Sequence, residues 1–404
     1  VRRVAAACDY GNCCTIRPEQ AQALFGQTLD CSVSQLQEYA ICPYRYFANY
    51  GLRLRDRPEF ELAAVELGSF YHRILYKLAT EVRQRGQSLR TVSHEVLNEL
   101  VNQTTDGELQ AVVKELALTG GREEYLLERA KTDINCAMRG HVSLWRSSRF
   151  EPALLEAGFG MKDGLPALAM TTPKGRTATL RGKIDRIDVA GIADKTVLAV
   201  IDYKRSNRYR LRLDDALAGL QVQLIAYMKA AMEAASQGHI GQGSPVPGGM
   251  YYFNILPTWQ KVPPDELVDP AKSQDAKQWQ LLGLTNSEYL HAFRSRDEAD
   301  DSPWPVNVYL TPSGKVHSNA PAVDTVQFQA VIEHVWASLG KAVDSILDGD
   351  FRIYPYKAGN EMPCAYCAYD ALCRFAPEYN EYRRISRCGS MRKVLEMMGV
   401  NGGP

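Results

Sequence analysis

The residue types best suited to chemistry fall in two neighbouring segments, Arg181-Gly182-Lys183-Ile184-Asp185-Arg186-Ile187-Asp188 and Val200-Ile201-Asp202-Tyr203-Lys204. Alternate side chains of a strand share a face, so Asp202 and Lys204 point one way while Ile201 and Tyr203 point the other. Between the segments, Gly191-Ile192-Ala193-Asp194 supplies turn chemistry. If that turn pairs the strands, Asp185 approaches Asp202, and two carboxylates at one point make a hard-cation site suited to Mg²⁺ or Mn²⁺. A cation held there polarises a phosphodiester and acidifies a bound water, while the lysine orients or deprotonates that water and offsets developing charge. An isolated Asp-x-Lys on a strand is usually just a solvated charge pair, so the neighbours decide. His72, in Gly68-Ser69-Phe70-Tyr71-His72, offers an imidazole ligand, although a lone helical histidine more often serves packing. Gln223 and Tyr227 lie one helical turn apart and share a face, as an ordinary polar helix face also would.

A second constellation lies near the end of the chain. Cys364, Cys367 and Cys373 form a C-x2-C-x5-C arrangement whose thiolates can converge on one centre, with a fourth ligand drawn from elsewhere. C-x2-C alone suits zinc, and a zinc ion in four thiolates is the plainer alternative. The C-x5-C extension and a distant fourth cysteine favour a [4Fe-4S] cluster acting as a structural staple. The remaining cysteines, Cys8, Cys13, Cys14, Cys31, Cys136 and Cys388, show no metal-like spacing and read as ordinary thiols.

The elements that must position these groups follow from periodicity. Residues 1–30 read as a loose lead-in, followed by a helix capped by Ser32 or Ser34 and running through Leu36, Tyr39, Ala40, Tyr44 and Phe47. A second helix is expected from about Glu61 to Arg83, with Leu67, Phe70, Ile74, Leu75 and Leu78 on its apolar face, and helical patterns continue to about Trp145. Beyond Pro152 the period changes, and Leu154 to Phe159, Ala178 to Val189, Thr196 to Tyr203 and Met250 to Ile255 read as strands. Asp215 to Ala235 and Val323 to Leu347 read as helices. The order defines an α/β fold with a helical N-terminal region. Residues 257–305, polar and interrupted by prolines, read as a surface insertion.

Composition bounds the rest. The 404 residues carry 47 Lys plus Arg against 47 Asp plus Glu, so a nucleic-acid surface has to be local. Such a local surface is offered by Lys204, Arg205, Arg208, Arg210 and Arg212, which follow one another with no intervening acid and with Tyr209 interleaved for stacking; a solvated basic loop is the alternative. No base-reading motif is present, which predicts little sequence preference. No apolar stretch approaches the roughly 18 residues of a membrane span and no signal peptide is apparent, so a cytoplasmic protein is expected. The chain begins at Val1 rather than Met, which leaves open whether it is a piece of something longer.

Taken in order, G-x3-H, a strand bearing Glu156, G-x-I-D-R-I-D, D-Y-K and Q-x3-Y resemble the RecB-family nucleases of the PD-(D/E)xK superfamily. The resemblance implies a restriction-endonuclease-like core, with His72, Asp185, Asp202 and the Tyr203 carbonyl as metal ligands and Lys204 as the catalytic lysine. Gln223 and Tyr227 become organisers of the site or of DNA, and Glu156 either orients the site or is a plain strand carboxylate. In Ile41-Cys42-Pro43-Tyr44, Cys42 resembles the first cluster ligand of one branch of the family, which makes it the fourth ligand of an iron-sulfur staple joining the N- and C-terminal parts. Closing so long a loop would stabilise the fold by about 5 kcal/mol if disulfide loop entropy is a guide.

With both constellations the chain resembles the nuclease region of AddB-type proteins, from about Cys31 to Phe375. That places a nuclease domain at 31–377, with a helical insertion at about 84–150 and a tail at 378–404. The likeness implies exonucleolytic cleavage of single-stranded DNA ends during double-strand break repair, beside an AddA-type partner carrying the motor. The chain has no G-x-x-x-x-G-K-[ST] phosphate loop, so ATP hydrolysis is not expected of it. Two other readings share the same residues: a cluster-containing DNA-binding scaffold with a silent site, and a stand-alone CRISPR-associated-type single-strand exonuclease.

Overall fold

The computed structural model describes residues 12–55, 64–116, 121–258, 276–294 and 303–400. A mixed eight-stranded sheet runs in the order β1-β4-β5-β6-β7-β8, with β2 and β3 also paired to β4. Its strands are β1 (Leu29–Ser32), β2 (Glu151–Phe159), β3 (Leu168–Thr171), β4 (Thr177–Ile192), β5 (Lys195–Lys204), β6 (Ser244–Asn254), β7 (Leu282–Asn286) and β8 (Ala322–Val323). β4 and β5 pair antiparallel across the Gly191 turn, and β5 pairs parallel with β6 through a helical crossover.

β5 reads Lys-Thr-Val-Leu-Ala-Val-Ile-Asp-Tyr-Lys, nearly all apolar, because both of its faces are covered. Val197, Ala199, Ile201 and Tyr203 face one core, built with a helical layer of α2 (Ala64–Gln84), α3 (His94–Leu116) and α4 (Gly121–Trp145). Leu198 and Val200 face the other, built with α5 (Gln223–Ser236) and α6 (Thr325–Leu347). Asp202 and Lys204 continue the second alternation, so they emerge under α5.

Several elements differ from their sequence reading. The lead-in is not loose throughout: α1 (Pro18–Phe25) forms on a proline at its first turn, and β1 joins β4 in parallel register. The helix capped by Ser32 stops at Ile41, because Pro43 pushes Cys42 into an extended conformation (φ −164°, ψ 121°) before a short turn at Pro43–Tyr46. The helix expected from Asp215 breaks into Leu213–Leu217 and α5, with Gly219 at φ +77° in the link. Leu67, assigned to the apolar face of α2, lies outside the described side chains, and so do 61–63 at the expected start of that helix.

The 257–305 stretch is also not wholly surface. Trp279, Leu281, Leu284 and Phe293 are buried, and β7 hydrogen-bonds to β6 inside the sheet; residues 259–275 and 295–302 lie outside the described ones. Its polar composition hid a strand only five residues long. The C-terminal segment folds back as well: Arg383–Arg384 pairs with Tyr356–Lys357, and a helix at Met391–Met397 buries Val394 and Leu395.

Candidate active site

The β4–β5 ladder ends at the pair Arg186 and Ile201, and the next residues outward, Asp185 and Asp202, stand across from each other where the strands part. Asp185 Oδ2 takes the place of a ladder carbonyl by accepting the Tyr203 N–H at 2.7 Å. This bond fixes the carboxylate and opens the sheet. His72, from α2, brings Nδ1 to 3.2 Å from Asp185 Oδ1 and Nε2 to 3.2 Å from the Tyr203 carbonyl.

Glu156 stands opposite Asp185 on β2, between Leu155 facing Arg186 and Ala157 facing Ile184. It has φ +50°, a left-handed conformation unusual for a non-glycine residue and out of place in a strand. That backbone turns its carboxylate toward His72, whose Nδ1 lies 3.8 Å from Oε1, and toward the Lys183 ammonium, which pairs with Oε2. One ligand atom from each of His72, Glu156 and Asp185 lies within 4.8 Å of the others. They line a cleft of about 500 Å³ together with Gly68, Ser69, Arg73, Tyr76 and Lys183.

Asp202 does not join that tightest group. Its Oδ2 sits 2.5 Å from Lys204 Nζ, which in turn is 3.5 Å from Gln223 Oε1; Gln223 Nε2 then donates to the Tyr227 hydroxyl at 2.7 Å. The motif glycine is there for close approach, since a Cβ on Gly182 would stand 2.7 Å from the Phe159 ring and 3.1 Å from Tyr227.

The electrostatics suit a cation. Burial and then the charge of Asp185 push the Asp202 carboxyl above the usual range, to about 6, against the pull of Lys204. Burial would lower His72, but its contact with Asp185 and the charges of Asp185 and Glu156 outweigh it and push the imidazole up to about 10. Burial would raise Glu156, yet His72 and Lys183 hold it below its ordinary value. Glu156 Oε1 is buried with no hydrogen bond among the described residues. One nitrogen and two carboxylate oxygens gathered at one point, from His72, Asp185 and Glu156, fit a hard divalent cation, which would take over the role the imidazolium proton plays between the two carboxylates.

Beneath the strand, Arg186 and Asp188 form a fully buried bidentate pair, with Nε to Oδ1 at 2.6 Å and Nη2 to Oδ2 at 2.5 Å. Arg186 Nη1 lies 3.1 Å from His141 Nε2, and its guanidinium stands over Trp145. It also bonds the Tyr203 side chain. The pair thus braces the residue whose backbone touches both His72 and Asp185.

Cys42, Cys364, Cys367 and Cys373 line one cavity of about 280 Å³, and burial, followed by the neighbouring thiols, pushes Cys364 up to about 11. Four thiols around one cavity are the donor set of a thiolate-held metal centre, either a zinc ion or a [4Fe-4S] cluster. The segments carrying them are also joined by packing: Phe351 stacks on Phe47 with centroids 4.7 Å apart, and the Tyr39 hydroxyl donates to the Asp350 carbonyl.

The three arginines expected to meet DNA diverge. Arg205 bonds the Tyr71 hydroxyl, Arg208 is exposed with Nε 3.4 Å from Asn207 Oδ1, and Arg210 lines a separate groove. Sequence reasoning missed Lys183 as the partner of Glu156. It also missed Ser69 and Tyr76, which a helical spacing of three and four residues from His72 would have placed on the cleft.

A sheet that opens at paired carboxylates, with a lysine two residues beyond one of them, gathers oxygen donors and an ammonium at one edge, an arrangement able to hold a cation beside a phosphate. The PD-(D/E)XK nuclease superfamily matches residues 30–374, and the chain belongs to that superfamily. Within it, the chain is similar to the AddB-type subunits of ATP-dependent helicase/deoxyribonucleases. The Desulfitobacterium hafniense protein is 31% identical over 90% of this chain and 32% of its own length. Those of Symbiobacterium thermophilum and Geobacillus kaustophilus are 32% and 31% identical over 95% and 96% of this chain, and 33% of their own length in each case. The chain therefore spans about a third of the length of these relatives. Among the described residues no helix is long and apolar enough to cross a membrane.

Proposed function

We propose that this chain is a Mg²⁺- or Mn²⁺-dependent deoxyribonuclease that degrades single-stranded DNA from an end, as the nuclease part of an AddAB-type assembly in cytoplasmic double-strand break repair. The observation that carries the reading is the convergence of His72, Glu156 and Asp185 on one cleft beside the Asp202–Lys204 pair. In this reading His72, Asp185, Asp202 and the Tyr203 carbonyl hold the cation, and Glu156 joins or orients them. When bound, the cation supplies Lewis acidity and an acidified water.

Lys204 holds the attacking water and balances charge on the phosphate, and its ammonium is kept in place by Asp202 and Gln223. Tyr227 fixes the Gln223 amide. Arg205, Arg208 and Arg210 take phosphates of the incoming strand. Cys42, Cys364, Cys367 and Cys373 hold a [4Fe-4S] cluster that ties the two ends of a nuclease unit covering about 31–377, and an AddA-type protein supplies the ATP-driven motor.

The test is digestion of end-labelled single-stranded DNA by purified chain with Mg²⁺ or Mn²⁺, and with EDTA as control. Cleavage that needs the cation and proceeds from one label supports the reading and reports polarity. An iron-loaded, folded chain that leaves the DNA intact with either cation would refute it as a property of this chain.

A further inference from the structure

Lys204 leaves β5 with two tyrosine rings against its ammonium, and neither ring has a part in the chemistry above. The position of Tyr252 follows from register. In the parallel pairing of β5 with β6, Tyr252 stands beside Asp202 and Asn254 beside Lys204, so these side chains share one face of the sheet. Tyr252 is buried, and its ring centroid lies 5.4 Å from Lys204 Nζ. Tyr209 comes from the basic loop beyond the strand. Read from sequence as a residue for stacking on DNA, it turns its ring to the lysine instead, with the centroid 5.8 Å from the same nitrogen. The two rings meet edge to face, centroids 4.7 Å apart and planes at 86°. Both nitrogen distances fall within the roughly 6 Å over which a ring face attracts a cation.

The loop carrying Tyr209 is held so that the ring stays there. Asn254, 2% exposed, accepts the Tyr209 N–H and donates to its carbonyl, both at 2.9 Å, as a neighbouring strand would. Gln221, also buried, accepts the Arg212 N–H at 2.8 Å, donates to the Arg210 carbonyl at 3.3 Å and bonds the Tyr209 hydroxyl. Backbone bonds from Ile255 to the Lys204 carbonyl and from Leu256 to that of Ser206, both 3.0 Å, carry the pairing past the end of β5. Burying an amide is costly unless its hydrogen bonds are made, and these two amides make theirs to this loop.

Lys204 needs such a support because its ion pair is shared. The carboxylate 2.5 Å from its ammonium is that of Asp202, which the proposed function also assigns to the cation, and Gln223 Oε1 stands farther off at 3.5 Å. An ammonium on a flexible stem is poorly fixed by a partner with a second duty. Ring faces restrain it while leaving its N–H donors to water and phosphate.

We propose that Tyr209 is a positioning residue for Lys204: its ring, together with that of Tyr252, fixes the ammonium beside Asp202, and Asn254 and Gln221 hold the Tyr209 ring in place. The role rests on the nuclease reading for its purpose, but the contact itself is measured without cleavage.

The experiment follows single-turnover cleavage of end-labelled single-stranded DNA by the full chain with Mn²⁺. Tyr209→Leu should lower the rate at saturating DNA about three- to tenfold and leave DNA and Mn²⁺ affinity near wild type. Tyr209→Phe keeps the ring and should recover most of the loss. Phenylalanines with successively more ring fluorines at position 209 should slow the reaction step by step, because fluorine drains the ring face. In a Lys204→Ala background, Tyr209→Leu should add nothing, since it acts through the missing group. A flat fluorine series, an undiminished loss in the Lys204→Ala background, or weaker DNA binding at an unchanged rate would each overturn the proposal, the last by making Tyr209 a contact of the substrate. In protein labelled with [¹³Cε]-lysine, the Lys204 ε-methylene resonance, identified by its absence in Lys204→Ala, should lie upfield through ring currents and move back in Tyr209→Leu. A resonance that does not move would overturn the contact. A wild-type chain that cleaves nothing yet shows the displaced resonance would leave the contact standing and refute the nuclease reading.

Discussion

Removing Asp188 from the buried pair beneath the catalytic strand should cost more than any surface change near the site. Arg186 is 1% exposed and Asp188 fully buried, with two bonds of 2.5–2.6 Å between them. In Asp188→Asn the guanidinium keeps its charge but loses the only carboxylate it touches among the described residues, with His141 left as a neutral neighbour. A buried charge stripped of its partner typically costs about 3–5 kcal/mol, whereas replacing both partners by apolar groups of similar volume is often near neutral. Urea unfolding should therefore place Asp188→Asn about 3 kcal/mol or more below wild type, with Arg186→Met/Asp188→Leu recovering most of the loss. Because Tyr203 bonds Arg186 with its side chain and meets Asp185 and His72 through its backbone, Mn²⁺ affinity should fall in the single variant as well. A single variant within about 0.5 kcal/mol of wild type would refute the argument, since ordinary surface substitutions fall in that range.

Burial and the adjacent Arg186 keep His141 neutral, well below its ordinary value. A depressed pKa stabilises the fold above the unfolded value near 6.5. Below that pH the unfolded chain takes up a proton the fold refuses, and stability falls by about 1.4 kcal/mol per unit; His141→Gln should flatten that part of the profile, measured by urea unfolding against pH. Gly182→Ala should push Phe159 and Tyr227 apart, loosening the Gln223 bond to Tyr227 and reducing cleavage at least tenfold while leaving metal affinity near wild type; unchanged cleavage kinetics would contradict this. Cys42→Ala should purify without the brown colour and the roughly four irons per chain expected of anaerobic wild type, and should melt at lower temperature. Stoichiometric zinc in the wild type, with no iron, would remove the cluster.

The alternation in β5 was legible because a strand buried on both faces must be apolar except where charged groups are needed, and Asp202 and Lys204 are the exceptions at its end; β4 is less plain, since Asp185 stands beside the buried Arg186–Asp188 pair. The helical placement of His72 and the shared face of Gln223 and Tyr227 followed from spacing in the same way. Glu156 was ambiguous because its position depends on a left-handed backbone that no periodicity announces. Cys42 looked helical from the pattern of Leu36, Tyr39 and Tyr44, and only the effect of Pro43 on the preceding residue explains its extended geometry. β7 was hidden because a short strand supported by neighbours on both sides needs little propensity of its own.

The central claim is tested most directly by measuring Mn²⁺ affinity and single-turnover cleavage of single-stranded DNA together for wild type, Asp185→Ala and Lys204→Ala. Asp185→Ala should lose both. Lys204→Ala should bind Mn²⁺ about as well as wild type yet cleave at least about a hundredfold more slowly, as expected for a group that acts on the water and phosphate rather than the metal. Cleavage at the wild-type rate by Lys204→Ala, or full Mn²⁺ affinity in Asp185→Ala, would contradict the account.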